Sequence, residues 1–435
     1  MFDLPKFGRG PCLARVDALL DACGVDRDAL SARAIVVTGS NGKGSTSAML
    51  AAMGAALGLR VGVFTSPNLL RWNERLRVDG RDIDDAALGA QVAAVTAAVR
   101  ALEVRFGAGS FGAFEAQLAA AARWFQHEGV NLGVYEAGIG GRLDPTRLVR
   151  APVTVLTSVD LEHTALLGAT RELIALDKAD ACAPSGTIVA GETMTDLEDL
   201  LATAASLVGS TVCFAARELP VSAVQANADA LRFALGAMTD LATPLLGRYQ
   251  AGNAACAALA LRTWLARSGR TVSDGSFEGA VRAGLAAVRW PGRLETVGTD
   301  PTCVVDVGHT PDAVAQAADG LFAAHGSARW LLVCGASVDK DAAAMVAQLG
   351  PRFGRVLCTQ AHHKGRDARD VAGLFAPLVG AERVAVEPDV VRAVALARRI
   401  ALAEGLRVYV AGGLFVAVEF AHAWRGEDPR SLVFL

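Results

Sequence analysis

Residues Ile35-Val36-Val37-Thr38-Gly39-Ser40-Asn41-Gly42-Lys43-Gly44-Ser45-Thr46 run directly into Ser47-Ala48-Met49-Leu50-Ala51-Ala52-Met53. β-Branched residues, a glycine-rich turn and a run of good helix formers read as strand, turn and helix. This is the layout of a phosphate cradle. Glycines let the backbone curl until several N–H groups and a helix N-terminus face one anion, Lys43 adds a mobile positive charge, and Ser45 offers a hydroxyl suited to Mg²⁺. The strict pattern G-x-x-x-x-G-K-[ST] is not met, because Val37 stands at its first glycine and Gly44 follows Lys43. A glycine-rich turn with no ligand is the plainer alternative. Strand, lysine and helix together weigh against it, so Gly39, Ser40, Asn41, Gly42, Lys43, Gly44 and Ser45 are candidate contacts to a nucleotide triphosphate.

Outward from this loop, short β-branched runs alternate with Ala/Leu-rich helical segments, the pattern of parallel strands joined by crossover helices. The fold class is α/β. Strands are expected at Ile35 to Val37, Val61 to Phe64, Leu132 to Tyr135, Val153 to Thr157 and Thr187 to Ala190. A second series, at Val304-Val305, Leu331 to Cys334, Val356 to Cys358, Val384 to Val386 and Val408 to Val410, is expected to form its own sheet. Between the two, Arg289-Trp290-Pro291-Gly292 interrupts helical periodicity. The expected units are therefore a nucleotide-binding domain over 1–291 and a smaller Rossmann-like domain over 292–435. Alanine-rich stretches near 90–100 and 115–123 read as helices.

The chain has 435 residues, 52% of them hydrophobic and 20% charged, with a formal net charge of −3. That length favours more than one core, and the balance lacks the basic excess of a nucleic-acid binder. The eight cysteines are scattered without metal-ligand spacing, as expected of buried thiols in a reducing compartment. Met1-Phe2-Asp3-Leu4-Pro5 shows no targeting pattern, and no uninterrupted apolar stretch reaches the roughly 18–20 residues of a membrane span. A cytoplasmic enzyme acting on small molecules, with no nucleic acid or membrane partner, is the expectation.

Further motifs follow the loop in order: Thr65-Ser66-Pro67-Asn68-Leu69 with Glu74-Arg75; Phe114-Glu115; Glu136-Ala137-Gly138-Ile139-Gly140-Gly141-Arg142-Leu143-Asp144; Asp160-Leu161-Glu162-His163-Thr164. Then come Ala175-Leu176-Asp177-Lys178-Ala179, Gln250-Ala251-Gly252-Asn253-Ala254, Trp290-Pro291-Gly292-Arg293-Leu294-Glu295 and Asp306-Val307-Gly308-His309-Thr310-Pro311. Together with G-x-N-G-K-G-S this series resembles the Mur ligase superfamily, and within it the folylpolyglutamate synthase/dihydrofolate synthase family. The resemblance runs from about residue 14 almost to the end.

The resemblance implies a P-loop Mur-ligase-like domain, a Rossmann-like C-terminal domain, and ATP with Mg²⁺ as cofactors. It implies metal ligation by Ser45, Ser66, Glu136 and His163, and ATP contacts from Asn253, Arg293 and Asp306. Lys43, Lys178 and His309 are the implied catalytic residues: Lys43 on the phosphates, Lys178 carbamylated as in related ligases, His309 near the incoming amino acid. Taken singly, each has a plainer reading, such as a turn acid for Glu136, a structural histidine for His163 or a solvated helix lysine for Lys178. The implied reaction joins L-glutamate to dihydropteroate and/or a folate through an acyl phosphate. Three departures from the family pattern, Asn68 for His, Thr310 for Asn and Gly413 for Ser, keep open a ligase diverted to another acid or amino acid. An inactive nucleotide-binding regulator is the alternative outside enzymology. Oligomeric state is left open, a monomer being one reading.

Overall fold

The computed structural model describes residues 4–5 and 8–434. Met1–Asp3, where the sequence shows no targeting pattern, lie outside them. The strands β1 (Ala34–Thr38), β2 (Val61–Phe64), β3 (Leu76–Val78), β4 (Arg81–Asp82), β5 (Leu132–Glu136), β6 (Val153–Leu156), β7 (Thr187–Ala190) and β8 (Thr211–Phe214) form one sheet. Its order is β4-β3-β2-β5-β1-β6-β7-β8. All neighbours from β2 to β8 are parallel, and β3 and β4 add an antiparallel edge.

Every residue of β1 is buried, which explains why its sequence is apolar without alternation: helices cover both faces of the sheet. Successive side chains in a strand point to opposite faces. Ile35 and Val37 accordingly pack with Met49, Leu50 and Met53 of the helix Lys43–Ala56, and with the helices Tyr249–Arg267 and Asp274–Ala287. Ala34 and Val36 face the other way, into a core shared with the helices Leu13–Ala22, Asp85–Phe106 and Ala113–His127. Burying one such valine contributes about 1.5–3 kcal/mol, so a polar residue at Val36 would break the layer. The helix Asp85–Phe106, 22 residues long and Ala-rich, has the length and composition of a membrane span, yet its Val95, Ala98 and Val99 lie in this core.

A three-stranded antiparallel sheet, β9 (Val221–Ala226), β10 (Leu231–Leu235) and β11 (Met238–Thr243), lies on the first core through Leu231, Phe233, Leu235 and Leu241. The continuous apolar runs that mark the other strands are missing there: β9 is exposed or half-buried throughout, and β10 shows instead the alternation of Leu231, Phe233 and Leu235 around Arg232. The last sheet contains β12 (Glu295–Thr299), β13 (Thr302–Val305), β14 (Trp330–Cys334), β15 (Val356–Gln360), β16 (Val384–Asp389) and β17 (Arg407–Ala411) in the order β12-β13-β17-β14-β15-β16. It is parallel from β13 to β16, with β12 antiparallel at the edge. The architecture is thus a P-loop α/β unit followed by a smaller Rossmann-like one.

β1 lies between β5 and β6, with Val37 in register with Glu136 and Val155. The carboxyl ends of the three strands therefore sit side by side, and ligands of parallel sheets bind at that end.

Candidate active site

From Thr38 the chain turns into the helix Lys43–Ala56 with Gly42 as its N-cap at φ +86°. A Cβ there would be strained and would overlap the Asn253 amide. At Gly44 a Cβ would lie 2.7 Å from the Trp290 ring, so the absence of Ser or Thr after Lys43 has a steric cause. The segment after β6 clamps the loop. Ser40 N–H donates to Ser158 O at 2.9 Å, Asn41 N–H donates to Ser158 Oγ at 2.9 Å, and Thr157 Oγ1 donates to Asn41 O at 2.6 Å. Lys43 Nζ folds back to donate to Gly39 O at 2.7 Å and Ser40 O at 3.2 Å. The buried Ser45 hydroxyl accepts from Gln250 Nε2 at 3.4 Å, and Asn253 Nδ2 donates to Gln250 Oε1 at 2.9 Å.

Glu136 ends β5 and is buried, with Oε2 accepting the Ser66 N–H at 3.1 Å. Burial pushes its carboxyl up to about 7, against the pull of Lys43, the Ser66 amide, Arg293 and Arg75. Asn68 is also buried: its Oδ1 accepts from Arg75 Nε at 2.8 Å, while its Nδ2 has no partner among the described residues.

His163 is exposed at the mouth of the site and adopts the left-handed φ of +46°. Its neighbour Glu162 receives Lys178 Nζ at 2.8 Å from the helix Arg171–Ala179. Burial opposes ionisation of Glu162, but Lys43 and Lys178 outweigh it and hold the carboxyl near 2. Burial and the charge of Lys43 push the Lys178 amine below its ordinary value despite Glu162. The plain reading of Lys178 as a solvated helix lysine is thereby corrected, for its side chain is 2% exposed.

The smaller unit contributes from the carboxyl ends of its strands. Asp306, buried after β13, accepts Leu294 N–H at 3.1 Å and Gly308 N–H at 2.8 Å, which ties Arg293 to that strand end. Arg293 Nε is buried without a hydrogen-bond partner among the described residues, and the guanidinium charge acts on Glu136, Asp306 and His309. Burial, with Lys340 next, pushes His309 down to about 4, so the ring is neutral near pH 7. Thr310 caps the helix Pro311–His325 by accepting Ala313 N–H at 3.2 Å. A Cβ at Gly413 would meet nothing closer than Ser337 Oγ at 3.7 Å.

The geometry thus brings Lys43, Ser45, Ser66, Glu136, Lys178 and Asn253 around one phosphate loop, with Arg293, Asp306 and His309 facing them. Glu162, Gln250 and Lys340 were given no role in the sequence reading. The first two lie inside quoted motifs. Lys340, between Asp339 and Asp341, stands out only through the field it exerts on His163 and His309.

Residues 292–414 match the family model of the Mur ligase, glutamate ligase domain. The chain is 36% identical over 99% of its length to a probable bifunctional folylpolyglutamate synthase/dihydropteroate synthase of Haloferax volcanii, covering 50% of that protein. It spans about half the length of the first curated relatives it matches. It is 34% identical over 81% of its length to the folylpolyglutamate synthase of Lacticaseibacillus casei, covering 82% of it. The folylpolyglutamate synthase of Mycobacterium tuberculosis solved with ADP and AMPPCP superposes with a TM-score of 0.86, at 29% identity and 96% coverage of both chains. The chain belongs to the folylpolyglutamate synthase/dihydrofolate synthase family.

Proposed function

We propose that this chain is an ATP-dependent ligase that joins L-glutamate to the carboxylate of dihydropteroate and/or a folate through an acyl phosphate. The observation that carries the reading is the convergence of a lysine-bearing phosphate loop, a buried under-compensated carboxylate and Arg293, whose buried Nε has no hydrogen-bond partner among the described residues, between two α/β units. The names of the relatives, and the ADP and AMPPCP bound to the mycobacterial one, point the same way.

A divalent cation fits the donors present. Glu136 sits in a pocket whose cations do not fully offset its burial. Among the described residues no three His, Cys, Asp or Glu side chains surround one point. One carboxylate with the Ser45 and Ser66 hydroxyls, and His163 at the margin, suits Mg²⁺ shared with phosphates better than a closed protein cage. When bound, Mg²⁺ neutralises charge on the phosphate oxygens.

The chain's own residues then divide the work. The helix N-terminus and Lys43 hold the triphosphate. Asn253, Arg293 and Asp306 form the nucleotide contacts, with Arg293 offsetting charge on the γ-phosphoryl group as the acceptor carboxylate oxygen attacks phosphorus and ADP departs. The free amine of glutamate attacks the acyl carbonyl, inorganic phosphate leaves with the C–O electron pair, and the proton shed by the new amide nitrogen goes to the departing phosphate, with neutral His309 beside the incoming amino acid. Lys178, if its amine took up carbon dioxide as a carbamate, would add a carboxylate-like group able to support the metal. Closure of 292–435 onto 1–291 completes the site, and the enzyme works in the cytoplasm on small molecules.

Asn68, whose Nδ2 has no hydrogen-bond partner among the described residues, and Gly413, where a Cβ would fit without overlap, favour one second reading, a ligase of the same type diverted to another acid or amino acid. Phosphate release from ATP, measured with pteroates, folates and other acids plus glutamate or aspartate, separates the two when the amide product is identified by mass spectrometry. Pteroate turnover with glutamate supports the first reading and turnover only with other acids the second. ATP binding without turnover would leave an inactive regulator.

A further inference from the structure

A cavity of about 470 Å³ opens on the smaller unit, lined by residues that include Arg329, Arg352, Arg355 and Arg383, with Glu382 and Glu404 as the acids. Its lining falls just before the first residues of β14, β15, β16 and β17. These strands are parallel, so the cavity sits at their amino ends, opposite the end that carries Asp306, His309 and Lys340. It is a separate place from the reaction cleft.

The four guanidinium groups outnumber the two carboxylates, and the pairing is uneven. Arg355 Nε meets Glu404 at 3.3 Å, Arg383 Nε meets Glu382 at 3.7 Å, and Arg352 Nε turns to Asp319 at 3.3 Å. Arg329 pairs with no carboxylate among the described residues. The side chains of Arg352 and Arg355 are only 28% and 26% exposed, so their charges are partly removed from water. Arg329 holds a left-handed φ of +66°, a conformation that bulky L residues avoid and that clusters at binding sites. The floor is fixed by Trp330, on which Arg407 stacks at 4.2 Å.

We infer that this cavity is a binding site for a multiply charged oxyanion, taken by the forked guanidinium donors of Arg329, Arg355 and Arg383. Planar forks match carboxylate and phosphate oxygens alike, and a cavity lined by several of them suits a ligand with more than one anionic group. The ligand is therefore a polyphosphate or a polycarboxylate. The site is independent of the ligase reading.

Titration calorimetry on the full chain, with tripolyphosphate in one arm and citrate in the other, tests this. The comparison proteins are Arg329→Glu and Arg383→Glu, whose side chains lie at the surface, and circular dichroism confirms their fold. A one-to-one site weakened at least tenfold in both variants is expected, and the tighter arm identifies phosphate or carboxylate as the ligand chemistry. The phosphate loop is untouched by either substitution, so any binding there is common to all three proteins. Equal affinities in the parent and both variants, or no binding in either arm, would overturn the assignment.

Discussion

Lys178 Nζ stands 2.8 Å from Glu162 Oε1 with its side chain only 2% exposed, a buried ammonium held next to a second cation, Lys43, that repels it. The burial that lowers its basicity also prepares it to lose a proton, the state in which an amine reacts with carbon dioxide. Loss of turnover in Lys178→Ala is expected, as is slow loss in parent protein stripped of bicarbonate, with recovery when bicarbonate returns. Turnover indifferent to bicarbonate would remove the carbamate from the mechanism. Removing one partner of a buried pair strands the other, so Lys178→Ala should also lower Tm.

The proposed Mg²⁺ site at Glu136 should be pH-dependent. Its folded pKa of about 7 lies above the ordinary 4.5, so the folded state takes up the proton first. Its contribution to stability is full below 4.5 and is lost as pH rises through 7. Mg²⁺ should reverse that loss, and its affinity should fall below pH 7 by up to about tenfold per unit as a proton competes for the carboxylate. Thermal melts with and without Mg²⁺ from about pH 5 to 9 check this. In Glu136→Gln the Mg²⁺ effect should vanish, and an unchanged Mg²⁺ response there would count against the ligand.

Gly44→Ser restores the hydroxyl of the strict phosphate-loop pattern and should nevertheless harm the protein. Its Cβ would press on the Trp290 ring, at 2.7 Å, and overpacking of this kind costs about 1–3 kcal/mol. A lower Tm with a raised KM for ATP is expected. A variant with parental values would mean that Trp290 yields freely.

Thr310→Asn tests the departures from the family pattern. Asn caps helices at least as well as Thr, so Tm should stay close to that of the parent. If the enzyme already glutamylates pteroates, kcat/KM for that reaction should change only modestly. If it has been diverted, this substitution alone should create no pteroate activity, because one hydrogen bond shifts specificity by about 1–3 kcal/mol. Appearance of strong pteroate turnover in the variant alone would contradict both readings.

The sequence by itself determined the α/β class, the phosphate loop and every strand expected from apolar β-branched runs, because strands buried on both faces must be continuously apolar. It also carried the family, since motif order along the chain is a one-dimensional property. Strands lacking that signature stayed illegible: β3 and β4 are three and two residues long, and β9 is exposed or half-buried throughout and interrupted by Ser222 and Gln225. Only the tertiary structure decided that Gly44 is dictated by Trp290, that Lys178 is buried against Glu162, and that Lys340 bears on both His163 and His309. Those residues lie far apart in the chain, and their effects on one another are steric and electrostatic. Such effects depend on distance through the folded protein, which residue spacing does not encode.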